Sequence, residues 1–248
     1  MPPVALVTGA SRGIGAATAR GLASRGYDLA LTYERAAADA ETVAASCAAH
    51  GVKASIYQLD VADESQVERL FAQLDQDFGS LDALVNNGGI TGPSCRLEEL
   101  KGDTLAHVFA VNVFGSMICA REAIRRMSTR RGGRGGAIVN LSSAAARLGS
   151  PNEFIHYAAS KGAVDTFTLG LARETAEEGI RVNAVRPGLI ETEIHASSGL
   201  HDRVERLSPM IPMKRAGSAE EVAEAVCWLL SDAASYVTGA IIDVAGGR

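Results

Sequence analysis

The sequence predicts an α/β protein, built on a doubly wound parallel sheet of about seven strands with helices on both faces. Short β-branched runs alternate with longer, alanine-rich amphipathic segments along the whole chain. Strands that alternate with helices pair in parallel through right-handed crossovers. Neither a linker nor a change in composition divides the 248 residues, a length that one α/β domain commonly reaches.

The individual elements follow from local periodicity. The β-branched runs predict strands at 3–8, 28–33, 53–59, 81–86, 136–142, 180–186 and 240–244. Helical spacing of apolar residues predicts helices at 14–25, 36–50, 63–78, 102–128, 153–178 and 218–231. The stretch 189–217 lacks clear periodicity. Because long irregular segments in compact domains are often lids, we expect one domain, 1–248, with a substrate lid at about 189–213.

Two of these helices begin with a capping-box pattern. One pairs Ser218 with Glu221, and the other pairs Ser150 with Glu153. Pro151 would occupy the first helical position of the second helix, where its missing N–H costs nothing.

Charge and cysteine usage narrow the function classes. The formal net charge of −5 disfavours a polyanion-binding surface. The run RRGGRGG at 130–136 is short and internal, so it predicts a solvated loop rather than a nucleic-acid tail. Four cysteines and five histidines show no CxxC, HxxxH or HExxH spacing, so no metal site is predicted. Scattered thiols, with no signal-like start and no run of about 18 apolar residues, predict a cytoplasmic protein without membrane or nucleic-acid partners.

The first predicted strand ends in TGASRGIG at 8–15, and a helix follows at once. Gly9 would make the tight turn, Gly13 would let backbone approach a pyrophosphate, and Gly15 would let the helix pack closely on the strand. The free N–H groups at the start of that helix would then face the phosphates. The turn therefore predicts a dinucleotide cofactor.

The spacing Gly-x-x-x-Gly-x-Gly resembles that of the short-chain dehydrogenase/reductase family, and further motifs follow in that family's order. They are LDV at 59–61, NNGG at 86–89, Asn112, LSS at 141–143, YAASK at 157–161 and RPGLIET at 186–192. The resemblance covers nearly the whole chain and implies a Rossmann-type fold. Gly88 departs from the family's usual alanine. The spacing from Ser143 to Tyr157 is one residue longer than in many relatives, which indicates an insertion in the loop 144–153.

The choice between nicotinamide cofactors depends on the end of the second strand. An acidic residue there binds the adenosine ribose, whereas arginines accept a 2′-phosphate. Tyr33 stands where NAD-preferring relatives typically have aspartate, and Arg12 and Arg35 could flank a 2′-phosphate. Glu34 is contrary evidence, because its carboxylate would repel that phosphate. The sequence favours NADP, with NAD as the alternative.

The resemblance implies further cofactor contacts. Asp60 would bind the adenine amino group with the Val61 backbone beside it, although Asp60 could instead cap the following helix. Asn86 and Gly88 would line the adenosine ribose. The remaining contacts would come from the glycine turn and the RPGLIET motif, at Ser11, Ile14, Pro187, Gly188, Ile190 and Thr192.

The stretch HYAASK at 156–161 sets a tyrosine and a lysine four residues apart. An alkoxide left by hydride transfer needs a proton, but free tyrosine has a pKa near 10. A lysine one helical turn away lies on the same helix face, and its charge favours the phenolate. The spacing therefore predicts Tyr157 as general acid/base and Lys161 as its neighbouring cation.

By resemblance, Lys161 would also hold the nicotinamide ribose, and Ser143 would donate to the substrate carbonyl. Ser142 is the rival, since strand residues alternate between faces. Asn112 would bind a water through a local helix kink and extend a proton relay from the lysine. His156 lies about 100° round the helix from Tyr157, so it is predicted to be a wall or surface residue.

Substrate recognition is expected from 144–155 and the lid. Leu148, Phe154 and Ile194 would supply apolar contacts, while His195 and His201 are polar contacts or solvated. The predicted function is hydride transfer between NADP(H) and a ketone or secondary alcohol.

Three alternatives stay open, namely a 3-oxoacyl-[acyl-carrier-protein] reductase, an NAD-dependent sugar or polyol dehydrogenase, and a non-catalytic nucleotide sensor. Carrier proteins are acidic, so Glu174, Glu177 and Glu178 would repel one. The resemblance also implies a homotetramer that pairs 102–128, 153–178 and the C-terminal strands.

Overall fold

A seven-stranded parallel sheet forms the centre of the molecule. The structure is a computed structural model that describes residues 2–192 and 203–248. In chain order the strands are β1 Val4–Val7, β2 Asp28–Tyr33, β3 Ala54–Gln58, β4 Ala83–Asn86, β5 Gly136–Leu141, β6 Ile180–Pro187 and β7 Ile241–Val244. They lie in the order β3-β2-β1-β4-β5-β6-β7, with every neighbouring pair parallel. The predicted strands and their parallel pairing are confirmed.

Helices cover both faces of this sheet, as predicted. The described helices are α1 Gly13–Ala23, α2 Ala37–Ala48, α3 Glu64–Asp77, α4 Gly102–Phe109, α5 Ser116–Met127, α6 Ala145–Leu148, α7 Ile155–Thr175, α8 Arg203–Leu207 and α9 Ala219–Leu230. Side chains of β1 alternate between two cores, with Ala5 and Val7 packing under α1, α2 and α9. Val4 and Leu6 pack on the opposite face, under α3, α5 and α7. This is the doubly wound arrangement of a Rossmann-type sheet.

The predicted helix 102–128 is interrupted by one π-helical segment, Ala110–Gly115, between α4 and α5. This 26-residue helical stretch is long and apolar enough to cross a membrane, and it is the one such stretch in 2–192 and 203–248. One of its faces, with Cys119, Ala120 and Ala123, is buried in the core. It packs on α3 and α7, and the buried Glu122 is ion-paired with Arg125 at 2.7 Å and Arg126 at 3.2 Å.

The two capping-box predictions have different outcomes. At α9 the Ser218 hydroxyl accepts the Glu221 N–H at 3.3 Å, and the Glu221 carboxylate accepts the Ser218 N–H at 2.9 Å, as predicted. The box at Ser150 and Glu153, with Pro151 as the first helical residue, is wrong. Ser150 has φ 44° and Asn152 φ 65°, so the backbone reverses there and α7 begins only at Ile155.

The run RRGGRGG forms the connection between α5 and β5, as predicted. Arg130 is ion-paired with Glu177 at 2.8 Å and with Glu178 at 3.5 Å, beside the end of α7. Arg134 pairs with Asp82 at 2.9 Å. These arginines therefore connect surface loops of the same chain.

Candidate active site

The turn between β1 and α1 lies at the carboxyl edge of the sheet, where the strand order reverses between β1 and β4. Gly9 has φ 63° and Gly13 φ 54°, a conformation that favours glycine. A methyl group at Gly15 would overlap the Gly9 carbonyl and lie 2.5 Å from Asn87 Nδ2. Arg12 occupies the N-cap of α1 in an extended conformation, and its side chain makes no cap bond to the first N–H groups of α1. The turn thus has the donors that a diphosphate requires.

A second loop, at the end of β4, is fastened to this turn. The Thr8 hydroxyl accepts the N–H groups of Asn87 at 3.0 Å and of Gly88 at 2.9 Å. The Asn87 amide donates to the carbonyls of Thr8 at 2.8 Å and Gly9 at 2.9 Å. Thr8 and Asn87 thus fix the shape of the glycine turn, a role that sequence analysis missed. A methyl group at Gly88 would lie 3.4 Å from the Thr8 hydroxyl oxygen, an ordinary contact that alanine could make.

Asn86 is placed differently from the predicted ribose contact. Its side chain is buried and donates to the Ser116 carbonyl at 3.0 Å and to Asn140 Oδ1 at 2.9 Å. It lies opposite Asn140 in the register of β4 and β5, and this pairing turns both amides into the core. The Asn86 side chain is therefore engaged in the core, and the predicted place of Asn86 beside the ribose stays a prediction that its backbone could meet.

Asp60 does not cap the helix that follows it. The cap of α3 is Asp63, whose carboxylate accepts the Gln66 N–H at 3.1 Å. Asp60 instead accepts the Ala62 N–H at 2.9 Å in a local turn. Val61 packs closely against the π-helical segment, since a methyl group at Gly115 would lie 2.8 Å from the Val61 carbonyl oxygen.

The end of β2 carries Tyr33, Glu34 and Arg35 in succession. The Arg35 guanidinium donates to the Glu34 carboxylate at 2.9 Å, and the arginine side chain is 84% exposed. A surface pair of this kind contributes at most about 1 kcal/mol, so it does not hold either side chain in place. Arg12 is likewise exposed on the glycine turn.

Tyr157 and Lys161 lie one helical turn apart on α7. The Lys161 ammonium is buried, donates to the Leu141 carbonyl at 2.6 Å and lies 5.7 Å from the centre of the Tyr157 ring. Burial lowers the pKa of Lys161 to about 8, while the Asp165 carboxylate acts in the opposite direction. Tyr157 is half-buried and faces a cavity.

The two serines after β5 are in different environments. The Ser142 side chain is buried and its hydroxyl donates to the Lys161 carbonyl at 3.2 Å. Ser143 is half-exposed, and its hydroxyl oxygen accepts the Ala145 N–H at 3.1 Å. Both residues border the cavity. The Ser143 hydroxyl proton is not used by that bond, so Ser143 is the serine of the two that is placed to donate to a bound molecule.

Asn112 lies inside the π-helical segment, at the kink that the family resemblance implied. Its amide accepts the Ile90 N–H at 2.9 Å and donates to the Ile90 carbonyl at 2.9 Å and the Ser160 hydroxyl at 3.0 Å. A methyl group at Gly89 would lie 3.2 Å from Asn112 Oδ1 and 3.4 Å from Lys161 Nζ. The Asn112 amide and the Lys161 ammonium therefore both lie close to Gly89.

Ser142, Ser143, Tyr157 and Lys161 border one cavity of about 150 Å³. Its walls also include the predicted substrate contacts Leu148 and Phe154, together with Ile14, Pro187, Gly188, Ile190, Thr192 and the C-terminal Arg248. Ile194, His195 and His201 lie outside the described residues. His156 is buried behind the wall, bonded through Nε2 to the Thr91 carbonyl at 2.9 Å.

Comparisons with known proteins agree with this geometry. A family model described as enoyl-(acyl carrier protein) reductase matches residues 9–248. An uncharacterised oxidoreductase of Escherichia coli strain K12, YgfF, is 54% identical over 245 residues, covering 99% of this chain and 99% of that protein. The 3-oxoacyl-[acyl-carrier-protein] reductase of Staphylococcus aureus is 40% identical over 248 residues, covering 100% of this chain and 98% of that enzyme.

The crystal structure of a short-chain dehydrogenase from Burkholderia cenocepacia J2315, in complex with NADP, superposes with a TM-score of 0.91 at 35% identity. The match covers 99% of this chain and 97% of that one. This chain belongs to the short-chain dehydrogenase/reductase family. As a member of that family it is an NAD(P)-dependent oxidoreductase.

Sequence analysis of this short-chain dehydrogenase/reductase missed residues whose roles depend on side-chain direction. Thr8 and Asn87 stand inside quoted motifs, but neighbouring threonine and asparagine residues give no sign of which one turns inward. Within residues 2–192 and 203–248, no group of three His, Cys, Asp or Glu side chains is arranged to hold a metal.

Proposed function

We propose that the protein transfers a hydride between NADP(H) and a ketone or secondary alcohol, with Tyr157 as the general acid/base. The observation that carries this proposal is the Tyr157–Lys161 pair at the wall of the cavity, with the buried ammonium 5.7 Å from the phenol ring. The Ser143 hydroxyl borders the same cavity. A proton donor, a cation that favours its ionised form and a carbonyl-binding hydroxyl are thereby brought to one place.

The residues around the cavity fit a nicotinamide dinucleotide. The glycine turn has no room for a methyl group at Gly15, and the start of α1 presents backbone N–H groups without a side-chain cap. Backbone of the glycine turn would hold the diphosphate, and Lys161 would hold the nicotinamide ribose. The segment from Pro187 to Thr192, which borders the cavity, would enclose the nicotinamide. When bound, the nicotinamide supplies or accepts the hydride.

The preference for NADP depends on Arg12 and Arg35. Both are exposed beside the end of β2, where they could take a 2′-phosphate as charge-assisted donors. The NADP bound to the Burkholderia cenocepacia relative supports this choice. Glu34 favours NAD instead, because its carboxylate could accept the ribose hydroxyls. Its ion pair with Arg35 offsets part of that negative charge, so NADP is proposed first and NAD second.

In the reductive direction, the chain's groups act in a fixed order. The Ser143 hydroxyl donates to the substrate carbonyl oxygen and stabilises the charge that develops there. The Tyr157 phenol gives its proton to that oxygen, and the Lys161 cation stabilises the phenolate that remains. A water held beside Asn112 and Lys161 would return the proton, since both groups meet at Gly89. In the oxidative direction the same groups act in reverse.

A 3-oxoacyl-[acyl-carrier-protein] reductase is the second candidate. The 40% identity with the Staphylococcus aureus enzyme favours it. The acidic residues at the end of α7 would repel a carrier protein less than the sequence implied, because Arg130 is ion-paired with both Glu177 and Glu178. Part of the charge that would repel an acidic carrier protein is thus offset within the chain.

A substrate panel with NADPH consumption as the readout tests the function. Ketones of increasing size, keto sugars and an acyl-carrier-protein thioester mimic are offered in parallel at neutral pH, and each active ketone is repeated with NADH. We expect NADPH-dependent reduction of at least one carbonyl compound. NADPH binding without turnover of any carbonyl, and without oxidation of the matching alcohols by NADP⁺, would instead support the nucleotide-sensing alternative.

The assembly and the lid are further parts of this proposal. The exposed side chains Phe114 and Met117, with Leu169 on α7, form apolar surface on the helices that would pair in a homotetramer. Light scattering on the purified protein measures the number of subunits.

We expect a single domain in which 189–213 closes over the substrate. We also expect a cytoplasmic enzyme that binds neither nucleic acid nor membrane.

A further inference from the structure

A buried carboxylate lies on α7 beyond the Tyr157–Lys161 pair. Asp165 follows Lys161 by one helical turn on α7, so the two side chains share a helix face. Asp165 is only 7% exposed. Its Oδ1 atom is buried and accepts no hydrogen bond from any residue in the described ranges. An ionised carboxylate in such a place needs a nearby cation.

Arg186 on β6 is the first such cation. Its Nε and Nη2 atoms both donate to Asp165 Oδ2, at 3.0 Å and 2.7 Å, and its side chain is only 17% exposed. Asp243 on β7 lies 3.9 Å from the other side of the guanidinium. This arrangement places two guanidinium donors on Oδ2 and leaves Oδ1 unused. Buried ion pairs contribute little net stability, so the pair invites an explanation other than folding.

Among the described residues, the hydrogen-bonding groups next to Lys161 are neutral. Its ammonium donates to the Leu141 carbonyl at the end of β5 and lies across Gly89 from the Asn112 amide, while the Ser142 hydroxyl donates to its backbone carbonyl. On its own helix the titratable neighbours are Tyr157 and Asp165. From β6 and β7, Arg186 and Asp243 act through Asp165.

We propose that Asp165, held in place by Arg186, keeps Lys161 protonated and is therefore a positioning residue for the Tyr157–Lys161 pair. This inference rests on the proposed function, because the lysine charge matters only if Tyr157 exchanges a proton. Burial alone drives Lys161 toward its neutral form, in which it no longer stabilises the phenolate. The Asp165 carboxylate opposes that loss, because a nearby negative charge favours the protonated lysine.

The titration of Lys161 can be followed directly by NMR, without any substrate. The chain has four lysines, Lys53, Lys101, Lys161 and Lys214, and the other three are exposed. Lysine labelled with ¹³C at Cε gives one resonance for each, and the spectrum of K161R identifies the resonance of Lys161. We expect D165N to lower the titration midpoint of Lys161 by about one pH unit, because it removes the attractive charge and leaves Arg186 nearby.

Two further variants separate an electrostatic role from a structural one. R186Q removes a repelling cation and keeps an amide that can still donate to Asp165, so the midpoint of Lys161 should rise. D75N breaks the surface Asp75–Arg126 pair, in which the guanidinium also makes two contacts, both at 2.7 Å, and should leave the midpoint unchanged. An unshifted Lys161 midpoint in D165N overturns the proposal. If D165N does not fold, a fall of the Lys161 midpoint in R186Q overturns it instead.

Kinetics supply the link to function. Lys161 carries its charge only below its titration midpoint, so a lower midpoint moves the alkaline loss of kcat/KM to lower pH. We expect the alkaline limb in D165N to move by the same amount as the NMR midpoint, with the D75N profile unchanged. A shifted NMR midpoint with an unshifted limb would overturn the role in turnover. If Y157F retained full turnover, the proposed function itself would fail, whatever the midpoint of Lys161.

Discussion

The ammonium group of Lys161 lies 5.7 Å from the centre of the Tyr157 ring, and it is held there by a 2.6 Å hydrogen bond to the Leu141 carbonyl. The helix brings the two residues onto one face, but β5 supplies the acceptor that fixes where the ammonium points. The relation between phenol and ammonium is therefore set jointly by α7 and the central sheet.

Replacing Tyr157 with phenylalanine removes the proton donor and keeps the ring. We expect turnover to fall by at least about 10²-fold, the lower end of what general acid/base groups contribute. NADPH affinity should change by less than about twofold, because the cofactor contacts proposed for the turn and for Lys161 remain. Steady-state kinetics and calorimetric titration measure both. Tyr236→Phe, at a fully exposed position, is the matched control, and wild-type-like turnover in Y157F would sink the mechanism.

The two serines after β5 should respond in opposite ways to removal of the hydroxyl. Ser143→Ala should lower kcat/KM by about 10²-fold, as the loss of an oxyanion donor does, with little change in thermal stability. Ser142→Ala breaks the buried bond to the Lys161 carbonyl, so it should cost about 1 kcal/mol of unfolding free energy. Steady-state kinetics and denaturant unfolding on both variants measure these two effects. A larger kinetic loss in S142A would reverse the assignment.

Arg12 and Arg35 should affect NADPH more than NADH. Replacing either by glutamine removes one charge-assisted donor to the 2′-phosphate, so the Kd for NADPH should rise about tenfold while that for NADH stays constant. Arg131→Gln, on the exposed loop after α5, is the control for a general loss of positive charge. A wild-type protein that binds NADH more than about tenfold tighter than NADPH would contradict both assignments.

Two glycines beside the cofactor cradle differ in the room around them. In Gly15→Ala the new methyl group would overlap the Gly9 carbonyl and lie 2.5 Å from Asn87 Nδ2, so the turn must open. We expect a loss of about 1–3 kcal/mol in unfolding free energy, together with weaker NADPH binding. Gly88→Ala makes a 3.4 Å contact with the Thr8 hydroxyl and should be tolerated. Equal tolerance of both changes would show that the turn is softer than its contacts indicate.

Local patterns were a good guide to the elements and a poor one to side-chain directions. The strands follow from β-branched runs, because burial on both faces of a parallel sheet demands them. The capping pattern at Ser150 failed because two residues with positive φ turn the chain there, and neither is a glycine that would signal it. Asn86 matched its motif, yet its amide turned to Asn140 across the neighbouring strand, a contact 54 residues away in the chain.

The sequence by itself determined the order of strands and helices, the glycine turn and the Tyr157–Lys161 spacing, since each depends on residues within a few positions of one another. The tertiary structure decided which serine borders the cavity with its hydroxyl proton unused, how Asn87 fastens the glycine turn, and that Asp165 meets Arg186 beyond the lysine. Those contacts join separate strands and helices, and their energies depend on burial and distance. Both quantities exist only once the sheet has brought the segments together.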